Sequence, residues 1–427
     1  MPEAEVLLPE TRERVEALGA ADIVVGIPSY NNAETIAHVV RMALYGLHRY
    51  FAEYKGVIVN SDGGSKDGTQ QKVLDASTDS AEVVNLPYPV FPVQKLSTPY
   101  HGIPGKGSAF RTMFEITRRL GSKLLVVFDS DLRSITPEWV EVLVTPILKE
   151  EYDFVAPYYT RHKFDGTITN SIVYPLTRAL YGKSIRQPIG GDFSFSARLV
   201  DRFLGQDVWE TDVARFGIDI WVATQALCGG FKVCQGFLGA KVHDPKDPAS
   251  DLSAMIAQVV GSLFQELERN VSIWQKVRGS EKVPVFGSIV PVATEPVKVD
   301  VGKMVHSFQI GCQNLREIWA MFLAPASMVE LNRISKRDLG QFAFPDEIWV
   351  RIVYDFAMAY HLRTLSRDHL LRALTPLYLG WVASFVIQMQ EAGPDEVERH
   401  LEKLCLAYEE QKPYLISRWR WPDRFHS

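Results

Sequence analysis

Cysteine is scarce in this chain: Cys228, Cys234, Cys312 and Cys405 are the only ones in 427 residues. The closest pair, Cys228 and Cys234, has neither zinc-knuckle nor redox-pair spacing. Reduced, mostly buried thiols of a cytoplasmic protein are expected. Excess positive charge is also lacking. With 46 Lys and Arg against 51 Asp and Glu, the net charge is −5, which argues against a protein that wraps nucleic acid. The opening stretch, MPEAEVLLPETRERVEALGA, lacks the basic-then-apolar order of a signal peptide and reads as a short helix. The longest apolar stretch, Leu374 to Met389, is short for a membrane span and carries Pro376 and Gly380. A buried helix is expected there, and no membrane association.

What is present is apolar material for real cores. Hydrophobic residues make up 46% of the chain and charged residues 23%, and the length suggests two to three domains. The first half alternates strand and helix signals. Strands are expected at Asp22-Ile-Val-Val-Gly-Ile-Pro28, at Gly56-Val-Ile-Val-Asn60, at Lys123-Leu-Leu-Val-Val-Phe-Asp129 and at Phe154-Val-Ala-Pro157. Helical periodicity runs from Ala33 to Tyr50, and another helix starts near Pro137. This rhythm predicts a doubly wound α/β domain with a mostly parallel sheet, whose ligand sits beyond the carboxyl ends of the strands. After about residue 250 the pattern becomes amphipathic helices: Asp251–Trp274, Val305–Phe322, Pro345–Leu365, Asp368–Gln390 and Pro394–Tyr408, interrupted by a Pro/Val-rich stretch at Val283–Val301. The expected division is an N-terminal helix at 1–20, an α/β domain at 21–246 and an all-helical domain at 247–427.

The strongest chemical signal is Asp129-Ser130-Asp131, directly after a buried strand. Two carboxylates so close need a counter-charge to stay ionised. A hard divalent cation such as Mg²⁺ supplies one, and a bound diphosphate would complete its shell. Asn60-Ser-Asp-Gly-Gly-Ser-Lys-Asp-Gly-Thr69 also follows a strand; Asp62 there suits a base or ribose, and a solvated turn is the alternative. Pro104-Gly-Lys-Gly107 precedes a helix at Ser108–Arg118, where Lys106 and exposed amides suit an anion, or form a plain helix entry. In Gln187-Pro-Ile-Gly-Gly-Asp192, the amides of Gly190 and Gly191 suit an acceptor carboxylate, or a β-turn. Asp219 opens a helix and either faces the crevice or favours the helix N-terminus. His243 by itself reads as a surface histidine, and Arg161 carries no meaning in isolation.

Taken together, these pieces resemble the GT-A glycosyltransferases. Val25-Gly-Ile-Pro-Ser-Tyr-Asn-Asn32 is similar to their opening strand and loop, Asn60–Thr69 to their nucleoside-binding loop, and Asp129-Ser-Asp-Leu132 to their metal motif. Adding Pro104-Gly-Lys-Gly, Gln187-Pro-Ile-Gly-Gly, Phe216-Gly-Ile-Asp and His243 narrows the resemblance. It is then to the retaining glucosylglycerate, glucosyl-3-phosphoglycerate and mannosylglycerate synthases. Phe342–Val350 and Tyr354–His361 also look like the helical tail of the last.

The resemblance implies a GT-A fold with a helical C-terminal domain. It implies a hexosyltransferase that uses Mg²⁺ or Mn²⁺, a UDP- or GDP-hexose donor and a small carboxylate acceptor, and that makes compatible solutes. It places Asp131 and His243 on the metal and Asp129 on the ribose or a metal-bound water. Pro28, Tyr30, Asp62 and Lys106 fall on the donor. Gly190, Gly191, Arg161 and Thr169 fall on the acceptor's carboxylate or phosphate, and Asp219 on sugar or acceptor hydroxyls, with Asp219, Arg161 and Asp131 the catalytic set. The chain departs from the family at Asn31-Asn32, where acidic residues are common, and at Asp192, where Glu is usual. No nucleotide-triphosphate P-loop is present. A homodimer or higher homo-oligomer is expected, with Trp319, Trp349, Tyr354, Trp381, Trp419 and Trp421 suited to its interface.

Overall fold

The computed structural model describes residues 6–77, 91–100, 102–215, 217–242, 252–289 and 297–420. The chain gathers into two compact units. One comprises Met1–Thr160, Ile185–Lys246 and Val283–Ala293; the other comprises Arg161–Ser184, Asp247–Lys282 and Thr294–Ser427. Neither unit is one continuous stretch of chain, because two segments sit apart from their sequence neighbours. Residues 161–184 cluster with the C-terminal helices, because the helix Tyr174–Tyr181 buries every residue and its Arg178 is held by Glu402 and Glu409. Val285–Phe286 returns to the first unit as an edge strand.

The first unit is built on an eight-stranded sheet. Its strands are β1 (Ile23–Ser29), β2 (Gly56–Asp62), β3 (Gln94–Pro99), β4 (Leu124–Val127), β5 (Phe154–Thr160), β6 (Phe193–Ser196), β7 (Val233–Ala240) and β8 (Val285–Phe286). Their order is β8-β7-β5-β6-β4-β1-β2-β3. All neighbours are parallel except at β6, which is antiparallel to both β4 and β5. The near-continuous apolar runs follow from burial on both faces. Val24, Leu125 and Val127 enter one core with Phe110, Phe114 and Trp221. Ile23, Val25, Ile27, Leu124 and Val126 enter the other with Val39, Val40 and Trp139. Each large apolar side chain so buried contributes about 1.5–3 kcal/mol. Helices on both faces of a mostly parallel sheet, with a helical C-terminal unit, make up the GT-A-like arrangement expected.

The topology creates a crevice. The helix Ile36–Tyr50, between β1 and β2, packs on one face, and the helix Lys106–Arg119, leading into β4, packs on the other. The winding reverses between β1 and β4, which opens a switch point at their carboxyl ends. Because β6 runs the opposite way, its beginning meets that same edge. Val127 pairs with Phe193, so residues 190–192 come beside Asp129. Thr160 pairs with Ala240, so Lys241 emerges at this edge as well.

In the second unit, the helix Thr375–Met389 is the apolar stretch anticipated as buried. It crosses the helix Val301–Asn314 closely. A β-carbon at Gly380 would lie 2.6 Å from Phe308 Cδ2, and one at Gly311 would lie 2.4 Å from Pro376 Cβ. Among the described residues, Arg367–Met389 is the one helical stretch long and apolar enough to cross a membrane, and 72% of its apolar window is buried within the protein. Four of the six aromatic residues expected at an oligomer interface are instead buried inside the second unit. Trp319, Trp349, Tyr354 and Trp381 are at most 1% exposed. Their burial is compatible with their polar handles because the three indole N–H groups donate to Ala373 O, Ser171 O and Asp346 Oδ1. Trp419 stacks on His361, and Trp421 lies outside the described residues. All four cysteines are free.

Candidate active site

The helix Lys106–Arg119 begins against the segment 213–215. A β-carbon at Gly107 would lie 1.9 Å from Val213 O, and one at Gly105 would lie 2.5 Å from Arg215 Cα. The Gly107 amide donates to Arg215 O at 3.0 Å. The glycines of Pro104-Gly-Lys-Gly107 therefore serve close packing first. That packing sets the start of this helix beside the helix Ile218–Cys228, whose first turn carries Asp219. Lys106 Nζ consequently lies 2.9 Å from Asp129 Oδ1 and 3.2 and 3.3 Å from the two oxygens of Asp219.

The other oxygen of Asp129 is held by a lysine that the sequence did not single out. Lys241 Nζ donates to Asp129 Oδ2 at 2.7 Å, to Asp192 Oδ2 at 2.9 Å and to Gly190 O at 2.8 Å. Asp192 also accepts from the Asp129 amide at 2.8 Å and from the Tyr159 hydroxyl. Gly191, at φ +89°, closes the turn directly over the carboxylate, where a β-carbon would lie 2.2 Å from Asp129 Oδ2. The Gly190 amide is used within the turn, donating to Gln187 O at 3.2 Å. Gly190 thus offers its carbonyl to Lys241, which corrects the expectation of a free amide for an acceptor carboxylate.

This is a cluster of three carboxylates and two ammonium groups, with Lys241 5% and Asp192 0% exposed. Burial disfavours each charge, and the neighbours decide the outcome. Asp129 is the centre: burial pushes its pKa up, but Lys106 and Lys241 outweigh that and hold it far below the usual carboxylate range. Both lysines are correspondingly raised by Asp129, against their own burial. Asp192 moves the other way, raised by burial and by the negative charge of Asp129 despite Lys241. Asp219 is likewise raised by burial, in spite of Lys106. The counter-charge for Asp129 is therefore a pair of lysines, where the sequence pointed to a cation alone.

Pro28, Tyr30 and Asp62 belong to a second group at the ends of β1 and β2. Pro28 is buried in β1, and Tyr30 is 64% exposed. The chain turns at Asn31, whose φ is +54°. Asn32 Oδ1 accepts from the Tyr30 amide and from Ser130 Oγ, and Thr35 Oγ1 donates to Ser130 O. The loop after β1 is thereby tied to the Asp-Ser-Asp turn. Asp62 is 1% exposed and accepts from Ser29 Oγ, the Gly64 and Ser65 amides, Ser65 Oγ and Gln70 Nε2. Although burial raises its pKa, the Ser65, Gln70 and Ser29 hydrogen bonds bring it below the ordinary value. Its carboxylate organises its own loop; the direct base contact expected of it would have to displace one of these donors.

Asp131 is partly exposed, and among the described residues nothing pairs with its carboxylate. His243 lies outside the described residues. The chain just before it is fixed: Val242 O accepts from the Arg133 amide, and the Val242 amide donates to Ser134 Oγ, both at 2.9 Å. Among the described residues no group of three or more His, Cys, Asp and Glu side chains gathers to hold a metal ion. Asp131, whose carboxylate no described residue engages, suits a ligand, whereas Asp129, facing two ammonium groups, does not. Arg161 and Thr169 belong to the second unit. Arg161 Nη1 lies 3.2 Å from Asp165 Oδ2, and Thr169 opens a π-helical turn, Thr169–Val173.

Residues 24–208 match the profile of Glycosyl transferase family 2. No curated protein matches the chain. Among solved structures, glucosyl-3-phosphoglycerate synthase from Mycobacterium tuberculosis with Mg²⁺ and uridine diphosphate is 20% identical, over 63% of this chain and 85% of that one, at a TM-score of 0.42. The same enzyme with Mn²⁺, UDP-glucose and phosphoglyceric acid is 21% identical, over 63% and 86%, at 0.42. A structure described as a mycobacterial protein is 22% identical, over 60% and 78%, at 0.43.

Proposed function

We propose that this protein is a retaining hexosyltransferase that moves glucose or mannose from a UDP- or GDP-sugar to D-glycerate or a glycerate-like acceptor. The observation that carries the reading is the convergence of Lys106, Asp129, Asp219 and Lys241 at the switch point between β1 and β4, where α/β sheets take nucleotides. The match of residues 24–208 to a glycosyltransferase profile supports it. The free thiols accord with a cytoplasmic setting.

In this reading the exposed ring of Tyr30 stacks on the donor base, and the loop organised by Asp62 surrounds the nucleoside. Lys106, at the start of its helix, meets the diphosphate with its ammonium group and helps to stabilise the negative charge that builds on the leaving group. Lys241 holds Asp129 in place, toward the ribose. Asp131 and His243 would hold Mg²⁺ or Mn²⁺, which supplies further counter-charge to the departing diphosphate. The backbone ties of Val242 to Arg133 and Ser134 support that pairing, because they anchor the residue before His243 to the turn that carries Asp131. Gly191, over Asp129, faces the acceptor, and Asp219 orients hydroxyls. A 3-phosphoglycerate acceptor is the nearest variant of this reading.

A second reading rests on Asp219. Its carboxyl is raised by burial, which suits a general base that takes the acceptor proton in an inverting transfer to a lipid or polysaccharide acceptor. A matrix of UDP- and GDP-hexoses against glycerate, 3-phosphoglycerate and longer acceptors, with Mg²⁺, Mn²⁺ or EDTA, tests both. Product with the donor's anomeric configuration, lost in EDTA and in Asp131→Ala, is expected. Inverted product would favour the second reading, and normal turnover by Asp131→Ala would overturn the metal assignment.

A further inference from the structure

The second unit contains a cavity of about 310 Å³ whose lining includes Ala179, Val277, Arg278, Glu409, Lys412 and Arg420. That volume is at the small end of organic-ligand sites. Three cations surround it, and among the described residues each is held by neutral oxygens. Lys412 Nζ donates to Ala179 O at 2.6 Å and Val277 O at 3.1 Å. Arg278 Nη1 donates to Gln275 O and Val277 O, and Arg420 Nε and Nη2 donate to Gln275 Oε1. The one carboxylate in the lining, Glu409, is already committed to Arg178 Nε at 2.8 Å and Ser280 Oγ at 2.6 Å. Among the described residues, no acidic side chain forms an ion pair with any of the three cations.

We propose that this cavity binds a small, freely diffusing phosphorylated molecule, in a site separate from the transferase centre. A phosphate dianion offers several acceptor oxygens to three cations that no described acidic side chain pairs, more than one carboxylate offers, and it is the natural partner of guanidinium groups. The apolar wall, which includes Val277 and Ile416, accommodates a short carbon skeleton. The lysine is 4% exposed, and burial together with the nearby charge of Arg278 pushes its pKa down to about 8. An anion would relieve that repulsion.

Calorimetric titration of the full chain with inorganic phosphate and with glycerol 3-phosphate tests this. Saturable binding of about one equivalent is expected to survive Lys106→Ala, which reports on the transferase centre. It should weaken about tenfold or more in Arg278→Ala and in Arg420→Ala, the scale of one lost charge-assisted hydrogen bond. Both arginines are exposed, so these variants keep the fold; Lys412→Met provides a third arm. Binding abolished by Lys106→Ala alone, or unchanged in both arginine variants, overturns the proposal. So does sedimentation with vesicles of phosphatidic acid in phosphatidylcholine that depends on Arg278 and Arg420 without binding of either soluble probe.

Discussion

Lys241 stands 2.7 Å from Asp129 and 2.9 Å from Asp192, so one ammonium group joins two carboxylates that flank the same end of the β4–β6 pairing, where Val127 meets Phe193. Truncating one member of a buried ion pair costs about 3–5 kcal/mol, because the other charge stays buried without its partner. Lys106 still neutralises part of Asp129, so Lys241→Met should lose about 3 kcal/mol in urea unfolding. Adding Asp192→Asn to Lys241→Met should recover part of the loss. A single-variant change below about 0.5 kcal/mol, ordinary for a surface residue, would remove Lys241 from the core of the site.

Gly191 tests the same carboxylate from the other side. Alanine there meets both the left-handed backbone at φ +89° and Asp129 Oδ2 at 2.2 Å. Gly230, at φ +70° with nothing within 4 Å of its β-carbon position, isolates the backbone cost of about 1–2 kcal/mol. Gly191→Ala should therefore destabilise more than Gly230→Ala. It should also lower kcat/KM for the proposed transfer at least tenfold, because Asp129 must move away from its lysines. Equal costs at the two glycines would mean that the turn yields without disturbing Asp129.

These two tests mark what could and could not be read from the sequence. The parallel strands were legible because Ile23–Ile27 and Leu124–Val127 are apolar on both faces. Asp129 was legible because it ends such a strand. Lys241 was not, since it lies 112 residues from Asp129 and a lone lysine carries no local pattern. Its place depends on β6, whose four residues run antiparallel between β4 and β5. Four residues are too few to show direction or partner. Gly105 and Gly107 were visible as glycines, but their packing against residues 213–215 is a long-range fact. Asp62 was visible as a carboxylate, while its saturation by five donors depends on Ser29 and Gln70 arriving from either side.

The crossing of Val301–Asn314 with Thr375–Met389 makes a stability prediction in the second unit. Alanine in place of a helical glycine ordinarily gains about 1 kcal/mol. At Gly380 the added carbon would lie 2.6 Å from Phe308, and overpacking of this kind costs about 1–3 kcal/mol. Gly380→Ala should thus lower the melting temperature, and Gly380→Leu should lower it further. In a Phe308→Ala background the alanine should become neutral or favourable. A higher melting temperature for Gly380→Ala alone would show that the helices can separate at no cost.

Lys412 supplies a pH dependence with a definite sign. Its ammonium is pushed from 10.5 to about 8, by burial first and by Arg278 second, with Glu409 opposing. A lowered lysine pKa means that the folded chain releases this proton before the unfolded chain does. The stability it confers is complete above 10.5 and is lost as pH falls through about 8. The full span is at most about 3.4 kcal/mol. Unfolding free energies should be measured between pH 7.5 and 10 for the parent and for Lys412→Met, in buffer without phosphate. The parent should gain on the variant by about 2–2.5 kcal/mol as pH rises, the share of that span falling inside the measured range. A difference that stays flat, or that shrinks with rising pH, would mean that the carbonyls of Ala179 and Val277 solvate the ammonium as well as water does.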